Sequence, residues 1–541
     1  MSDPSTTHAV IARALKAQGV DTLFGLLGDA NLFMADAYVR AEGGRFVPAA
    51  HETSAVQMAL GYAAMTGRVG AATVTHGPAV SNCVTAMIEG VKGSLPVVLL
   101  VGDTPGVDPE HPQAVDQPAM AAAAKAGFVQ LRSADTVAED LSAAFRMAEV
   151  ERRPVLFNMP TELMWAPAVH RDVAAPPPRN RMAPSDGPDM DAVVGLIAAA
   201  RRPLVLAGRG AIPARDALVK LAERIGAPLA TTLKAKNLFS GEPYDLGVFG
   251  TLSTPEAGEE IARADLIIAF GAGLNRFTAA RGGYLEGKRV IQINDDATRI
   301  ARLAPADAGL VADPGLAAEA IMRWLDEADI PSSRATDDID ENAVPGAHPV
   351  ERLSPAPGAV DLTAALMRLE TAVPEDRVFV TDGGRFMGAA WTRIDVTGPE
   401  NFLLTVNVGA IGLGMGHAIG AAVARPDQPT LLVTGDGGFM TGGLNELATA
   451  VREGLDLIII VCNDNAYGAE YVQFADRQMD PALSLFDWPS LAMVAEAMGA
   501  TGVRVASDAE LESAAAAIAG RSGPILIELM LDPAAVPRLQ L

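Results

Sequence analysis

Two short turns near the C-terminus carry the residue types that bind a phosphate group through a divalent metal. The first reads Gly435-Asp436-Gly437-Gly438, and the second, Asn463-Asp464-Asn465, follows residues 439–462. Glycines let backbone N–H groups approach phosphate oxygens closely. Carboxylate and amide oxygens are hard ligands that suit Mg2+. The pair predicts a diphosphate site in which residues 435–438 contact phosphate and Asp436, Asn463 and Asn465 bind Mg2+.

The residues between the two turns predict that both lie at one edge of a sheet. Residues 444–454 have the pattern of a helix, and residues 455–462 are an apolar run typical of a buried parallel strand. Each turn would then follow one of two consecutive strands. The carboxyl ends of parallel strands share an edge, so the turns are expected to lie close together.

Composition narrows the class of protein. The 541 residues suggest about three to four domains. Hydrophobic residues make up 49% and aromatic residues 5%, a balance that suits helices alternating with buried parallel strands. The net charge of −24 argues against a nucleic acid or an anionic membrane as partner.

Cysteine content and the N-terminus predict a cytoplasmic protein. Only Cys83 and Cys462 occur, too few for a disulfide framework. The first residues lack the basic and apolar regions of a signal peptide, and no apolar run reaches the roughly 18 residues that span a bilayer.

Three regions of alternating strand and helix patterns predict three doubly wound parallel-sheet α/β domains. The expected domains are 1–165, 187–330 and 361–541. The linkers are 166–186, which is rich in proline around residues 174–179, and the polar segment 331–360. The first and third regions are candidates for two copies of one architecture.

The spacing of Gly435-Asp436-Gly437 and Asn463 resembles the thiamine diphosphate (ThDP) motif, in which G-D-G precedes N-N. A second segment, His51-Glu52 followed by Ala55, Ala59 and Gly61-Tyr62-Ala63, is similar to the one that bears the activating glutamate of ThDP enzymes. A glutamate early in a helix is also commonly a cap or dipole partner. The resemblance implies that Glu52 binds N1′ of the cofactor's aminopyrimidine and so activates its C2 carbon.

That resemblance extends to the whole chain. It points to the acetolactate synthase, benzoylformate decarboxylase and benzaldehyde lyase family, with a pyrimidine-binding, a middle and a diphosphate-binding domain. In that family the glutamate comes from the neighbouring subunit. A homodimer is therefore the expected minimum, and a homotetramer the expected assembly.

Further cofactor contacts follow from the same resemblance. Residues 409–412 resemble the G-x-φ-G turn, in which Ile411 would lie beneath the cofactor and bend it into a V while the Gly409 carbonyl accepts from the 4′-amino group. An ordinary strand-to-helix turn is the alternative. Gly383 and Gly384, after Asp382, are expected to touch the diphosphate.

The substrate side is expected at four residues in the first domain. Asp29 follows Gly28 in a loop similar to F-G-x-x-G-x-x-x-L, where it is alternatively a helix N-cap. His76 ends a strand where benzoylformate-decarboxylating members have a catalytic histidine, although a structural buried histidine is the alternative. Gln113 and Gln117 lie in a stretch similar to Q-A-x-x-D-Q of benzaldehyde lyase, or simply in a polar loop.

Other features carry weaker expectations. Glu470 lies within a residue of where pyruvate decarboxylases keep a catalytic glutamate, and His417 is expected to pack rather than react. FAD is not favoured, because the middle region lacks the family's flavin motifs, although Arg209 and Arg276 could hold a nucleotide phosphate.

The reaction implied is C–C bond cleavage or formation on 2-oxo acids or 2-hydroxy ketones, through an enamine intermediate. Its partners are a small 2-oxo acid and an aldehyde or ketone. Asp29 and His76 favour decarboxylation, whereas the loops at 76–82 and 113–117 favour carboligation or lyase chemistry. The alternatives are acetolactate synthase itself and a catalytically silent ThDP-fold scaffold, against which the intact Glu52 argues.

Overall fold

The computed structural model describes residues 5–108, 110–172 and 181–538. The proline-rich part of the predicted linker, at 174–179, and the first four residues lie outside that range. Residue contacts divide the chain into two compact units. One contains the N-terminal and C-terminal sheets (residues up to 178, 352–393 and 403–537), and the other contains the central sheet (179–351 and 394–402).

The N-terminal domain is built around a six-stranded sheet of order β3-β2-β4-β5-β7-β6, whose pairs are parallel. A short antiparallel pair, β1 with β8, lies beside it. The strands are β1 (Ser5–Thr6), β2 (Thr22–Gly25), β3 (Arg45–Pro48), β4 (Gly70–Val74), β5 (Val97–Asp103), β6 (Gly127–Gln130), β7 (Pro154–Pro160) and β8 (Pro167–Ala168). The helices are α1 (Thr7–Ala17), α2 (Leu32–Arg40), α3 (Glu52–Thr66), α4 (Pro78–Gly93), α5 (Gln117–Ala123) and α6 (Val137–Glu151).

The central sheet has the order β11-β10-β9-β12-β13-β14 and is parallel. Its strand order reverses between β9 and β12, as in a doubly wound fold. The strands are β9 (Pro203–Ala207), β10 (Leu229–Thr231), β11 (Asp245–Val248), β12 (Leu266–Phe270), β13 (Arg289–Asn294) and β14 (Ala308–Val311). The helices are α7 (Pro188–Ala199), α8 (Arg215–Ile225), α9 (Pro255–Arg263) and α10 (Pro314–Glu327).

The C-terminal sheet, of order β16-β15-β17-β18-β20-β19, repeats the order of the N-terminal sheet strand for strand. The strands are β15 (Val378–Thr381), β16 (Phe402–Leu404), β17 (Thr430–Gly435), β18 (Leu457–Asn463), β19 (Thr501–Val505) and β20 (Ile525–Met530). The helices are α11 (Leu362–Glu370), α12 (Met387–Arg393), α13 (Gly414–Ala424), α14 (Asp436–Gly438), α15 (Leu444–Arg452), α16 (Gly468–Asp476), α17 (Leu491–Ala497) and α18 (Asp508–Ala519). The prediction of three doubly wound α/β domains is confirmed, whereas the predicted domain limits stay predictions.

Buried apolar strands explain this architecture. Every residue of β4, β12 and β18 is buried, and such continuous apolar runs are stable only with helices on both faces of the sheet. Within the described residues, no helix is both long and apolar enough to cross a membrane.

Helices α3 and α13 join the N-terminal and C-terminal domains at a very close crossing. A Cβ atom added to Gly420 would lie 1.9 Å from the Met58 carbonyl oxygen, and one added to Gly61 would lie 2.2 Å from the His417 carbonyl oxygen. Both positions are helical and buried, so glycine is required there by space rather than by backbone angles.

We therefore expect Gly420→Ala to lower the free energy of unfolding by about 1–3 kcal/mol, because the added methyl group overpacks this crossing. Urea denaturation measures the change. Gly195→Ala, in α7 where nothing lies within 4 Å of the added Cβ, is the matched control. It should raise helix stability by up to about 1 kcal/mol. Equal stability of Gly420→Ala and wild type would contradict the packing described here.

Candidate active site

The two predicted metal-binding turns lie side by side at the carboxyl edge of the C-terminal sheet. Strands β17 and β18 are parallel neighbours, and Gly435 pairs with Cys462 at their ends. Asp436 and Asn463 therefore emerge next to each other. Asp436 begins a continuous helical segment that runs through α14, a π-helical turn (Phe439–Gly443) and α15.

Asp436 and Asp464 place two neighbouring buried carboxylates at this edge. Their residues are 2% and 7% exposed. Burial raises the pKa of Asp436 to about 6. Burial together with the Asp436 charge raises the pKa of Asp464 to about 7. Two like charges held close together away from water are costly unless a cation lies with them.

Asn463 is bound to the protein rather than directed at this acid pair. Its Nδ2 donates to Glu528 Oε1 at 2.8 Å, and its Oδ1 accepts from the Asn465 N–H at 3.0 Å. As the last residue of β18, it points to the neighbouring β20, which carries Glu528. This differs from the predicted ligand set, because the position that lies with Asp436 is Asp464.

Glycines bring the backbone close to the other parts of this edge. A Cβ added to Gly437 would lie 2.7 Å from the Tyr467 ring, and one added to Gly438 would lie 2.7 Å from Asp382 Oδ2. Gly384 has a φ of +156°, in a region that favours glycine. With Gly383, it follows β15, which neighbours β17, so these glycines line the same edge.

The Gly409–Ile411 turn is held by two buried acids. Gly409 has a φ of +79°, which favours glycine, and Ile411 is 36% exposed. Asp382 Oδ2 accepts from the Gly412 N–H at 3.0 Å, and burial raises the pKa of Asp382. Glu89 of α4 accepts from the backbone N–H groups of the two residues just before the turn, Asn407 at 3.1 Å and Val408 at 2.7 Å. A fixed backbone thus presents a partly exposed apolar side chain, as the resemblance requires of Ile411.

The N-terminal sheet carries the remaining predicted residues at its own carboxyl edge. Strands β3, β2 and β4 are neighbours, and Glu52, Asp29 and His76 follow their respective ends. Glu52 is the first residue of α3, and the Asn82 Nδ2 donates to Glu52 Oε2 at 3.0 Å. The helix is capped by His51 and not by Glu52, because the His51 side chain accepts from the Thr53 N–H.

Asp29 and His76 are linked by Thr75. The Thr75 hydroxyl donates to Asp29 Oδ1 at 3.1 Å and lies 3.2 Å from His76 Nδ1. Helix α2 begins at Leu32 after an Asn31 cap, so Asp29 is not its N-cap. Burial lowers the pKa of His76, an effect that the Asp29 charge opposes.

His111, which sequence reasoning missed, lies with His76. Their ring centroids are 5.4 Å apart. The His111 Nδ1 accepts from the Gln113 N–H at 3.2 Å. The Gln113 carbonyl oxygen in turn packs on Gly77, where an added Cβ would lie 2.0 Å from it. The 111–113 loop therefore covers the turn that carries His76.

Gln117 is a structural residue in this geometry. Its side chain is buried, its Oε1 accepts from the Gly77 N–H at 3.0 Å, and its Nε2 donates to the Gly102 carbonyl and Asn158 Oδ1. Since both ends of the amide are engaged with the protein, Gln117 holds the His76–Gly77 turn and is not free for substrate. The catalytic role predicted for Gln117 stays a prediction, and these contacts favour a structural role instead.

Comparison with known proteins places these features in a family. The profile "Thiamine pyrophosphate enzyme, N-terminal TPP binding domain" matches residues 5–120, the "central domain" profile matches 190–321, and the "C-terminal TPP binding domain" profile matches 382–529. A probable 2-ketoarginine decarboxylase of Pseudomonas aeruginosa is 30% identical over 97% of this chain and 94% of its own. The chain belongs to the thiamine pyrophosphate enzymes.

Other relatives of this thiamine pyrophosphate enzyme carry different activities in their names. Acetolactate synthase isozyme 2 large subunit of Escherichia coli is 28% identical over 96% of this chain and 95% of its own. Sulfoacetaldehyde acetyltransferase of Castellaniella defragrans is 27% identical over 92% and 88% of the two chains. The family makes this chain a ThDP-dependent enzyme.

The residues at the C-terminal edge fit that cofactor. The buried Asp436 and Asp464 carboxylates lie together at this edge, and oxygen ligands of this kind suit Mg2+ shared with a diphosphate. The glycine-rich turn at 435–438 is of the kind whose backbone N–H groups bind phosphate.

The structure also shows where Glu470 and His417 lie, two residues with weaker expectations from the sequence. Glu470 is exposed in the first turn of α16. His417 is buried in α13, where its Nδ1 lies 2.8 Å from the Leu413 carbonyl oxygen and burial lowers its pKa. Its position among packed helices agrees with the packing role expected for it.

Proposed function

We propose that this enzyme decarboxylates a 2-oxo acid and then delivers either a proton or a second carbonyl compound to the carbon that has lost CO2. The observation that supports this most is the Asp29–Thr75–His76 chain, with His111 beside it, at the sheet edge that also carries Glu52. The relatives named for decarboxylation, acetolactate synthesis and acetyl transfer support the same class. Acetolactate synthase itself is one member of that class.

The cofactor would be held by the C-terminal edge. We assign Mg2+ to Asp436 and Asp464, with Asn465 as a further candidate, and the diphosphate to the backbone at Gly383, Gly384 and 435–438. Bound ThDP supplies a nucleophilic carbon and an electron sink for the pair left by CO2. Ile411 and the Gly409 carbonyl would hold the aminopyrimidine.

Glu52 would hold a proton at N1′ of the aminopyrimidine, and Asn82 would orient its carboxylate. Asn82 donates to Oε2, which leaves Oε1 for the ligand. In the resembling family this glutamate serves the neighbouring subunit, so we propose a homodimer as the active unit and a homotetramer as the assembly.

Asp29 and His76 would move the substrate-side proton. The lowered pKa of His76 keeps its imidazole neutral at pH 7, so it can accept or relay a proton. The Asp29 side chain is 74% exposed, so it can reach a substrate that His76 does not. Because Thr75 contacts both residues, a proton has a hydrogen-bonded route between them.

Asp29→Asn should therefore lower kcat by about 10²-fold, with a smaller change in KM, because the amide cannot donate or accept the same proton. Steady-state kinetics measures both constants. Asp36→Asn, which removes an exposed carboxylate of α2 paired with Arg40, is the matched control and should behave as wild type. If Asp29→Asn kept the full kcat, Asp29 would have no part in proton transfer.

Mass spectrometry of products tests the reaction itself. Pyruvate, benzoylformate and 2-ketoarginine are each supplied with and without an aldehyde acceptor. An aldehyde product indicates decarboxylation alone, and a 2-hydroxy ketone indicates carboligation. No product from any of them, with ThDP and Mg2+ present, would contradict the proposal.

The expectations about localisation, domain limits and FAD are also part of this proposal. We propose a cytoplasmic enzyme with domains at 1–165, 187–330 and 361–541, acting without FAD. The absence of flavin absorption in the visible spectrum of the purified protein would support the last point, and a flavin spectrum would overturn it.

A further inference from the structure

Glu446 is a buried carboxylate of the C-terminal domain that binds the backbone just before Glu52. It lies in α15 and is fully buried. Its Oε1 accepts from the Ala50 and His51 N–H groups, each at 3.0 Å, and its Oε2 accepts from the Thr449 hydroxyl at 2.8 Å. Burial raises the pKa of Glu446, whereas these donors oppose the rise.

The Glu446 contact supplies hydrogen-bond acceptors for backbone N–H groups in the turn between β3 and α3. Backbone N–H groups at the start of a helix have no partner within the helix and must find one elsewhere. Ala50 and His51 precede the first residue of α3, and the Glu446 carboxylate is the partner for both N–H groups: Ala50 donates to both oxygens and His51 to Oε1. Charge-assisted hydrogen bonds of this kind are about twice as strong as neutral ones.

A second link between these two domains lies near the same strand but on the surface. Arg45 of β3 forms an ion pair with Glu453 at 2.9 Å, with the arginine side chain 45% exposed. Exposed ion pairs contribute little to stability. Glu446 is a buried link beside this strand, and its contact with the His51 N–H lies one residue from Glu52.

We propose that Glu446 is a positioning residue for the reaction: it fixes the turn at residues 50–51 and so aims the Glu52 carboxylate at the cofactor. The proposal rests on the proposed function of Glu52. The helical segment 436–452, which carries Glu446, is continuous and begins at the diphosphate-binding turn. The Glu446 contact therefore connects that turn to Glu52 of the same chain.

The test measures exchange of the C2 proton of bound ThDP with deuterium by rapid-quench NMR, together with the dissociation constant for ThDP in the presence of Mg2+. Glu446→Ala removes both acceptor oxygens. Because small misplacements of a catalytic group have large effects, exchange should slow by about tenfold or more. The dissociation constant should change by less than about threefold, because no cofactor contact is lost.

Glu446→Gln keeps one acceptor oxygen for the two N–H groups and should give an exchange rate between those of wild type and Glu446→Ala. If the alanine variant does not fold, Glu446→Gln is the variant that tests the proposal. Glu453→Ala, which removes the exposed pair with Arg45, is the matched control and should exchange as wild type.

Wild-type exchange in the folded Glu446 variants would overturn the proposal, as would a slowing matched by an equal loss of ThDP affinity. Measuring Glu52→Gln in the same experiment distinguishes failure of the positioning role from failure of the proposed function. If Glu52→Gln slows exchange and the Glu446 variants do not, only the positioning role is wrong. If Glu52→Gln itself exchanges as wild type, the role of Glu52 is wrong.

Discussion

Glu52→Gln should lower kcat by about 10²–10⁴-fold while ThDP still binds, because the amide keeps the size of the side chain but cannot share a proton with N1′. Asn82, which donates to Glu52 Oε2 at 3.0 Å, can donate to the amide oxygen instead, so the local fold should persist. The measurement is turnover of a responsive 2-oxo acid at saturating ThDP and Mg2+.

Glu42→Gln provides the matched control for this substitution. Glu42 lies in the same domain, where it forms an ion pair with the half-exposed Arg13 at 3.2 Å. Its variant should retain the wild-type kcat. Turnover by Glu52→Gln at the wild-type rate would refute the activation mechanism.

Asp464→Ala should weaken binding of Mg2+ and ThDP by about 100-fold or more, because it removes one of two carboxylates that the metal would share. The protein without metal should melt at the same temperature or higher, since the substitution also removes a buried charge that repels Asp436. Isothermal titration and thermal melting measure the two effects.

Asn463→Ala should show the opposite pattern. It leaves the buried Glu528 without one donor and the Asn465 N–H without its acceptor, a loss of about 1–3 kcal/mol in the free energy of unfolding. The melting temperature should fall, and affinity for Mg2+ should fall less than in Asp464→Ala. If Asp464→Ala bound both ligands normally and Asn463→Ala did not, the original assignment of Asn463 would be right.

The residue types in local motifs were enough to predict the fold class and the family. Continuous apolar strands such as β18, separated by helical patterns, require a parallel sheet covered on both faces. The turn at Asp436 follows such a strand, and so its place at the sheet edge was predictable. The first and last domains share one strand order. The sequence predicted this only in outline, as two regions that could be copies of one architecture.

The direction of side chains could not be read from the sequence. Asn463 and Asp464 are adjacent and both are plausible oxygen ligands, but neighbouring residues at a strand end point in different directions. Whether one of them faces Asp436 or Glu528 depends on how β18 pairs with β20. The same holds for Gln117, whose engagement with Gly102 and Asn158 depends on the packing of β5 and β7.

Long-range contacts were also invisible in the sequence. His111 lies in a loop without a motif, and only the fold brings it to His76. Glu89 and Glu446 are helical glutamates that a sequence pattern assigns to solvent. In the structure both are fully buried, and each binds a turn of the other domain in the same unit. Burial of a charged residue is the signal that identifies such positions, and it requires the structure.

Release of CO2 from 2-oxo acids by the purified protein, stripped of cofactor and then reconstituted, tests the central claim most directly. We expect CO2 only when ThDP and Mg2+ are both restored, and almost none from Glu52→Gln under the same conditions. Release of CO2 that is independent of ThDP, or none from any 2-oxo acid by a protein shown to bind ThDP, would contradict the account.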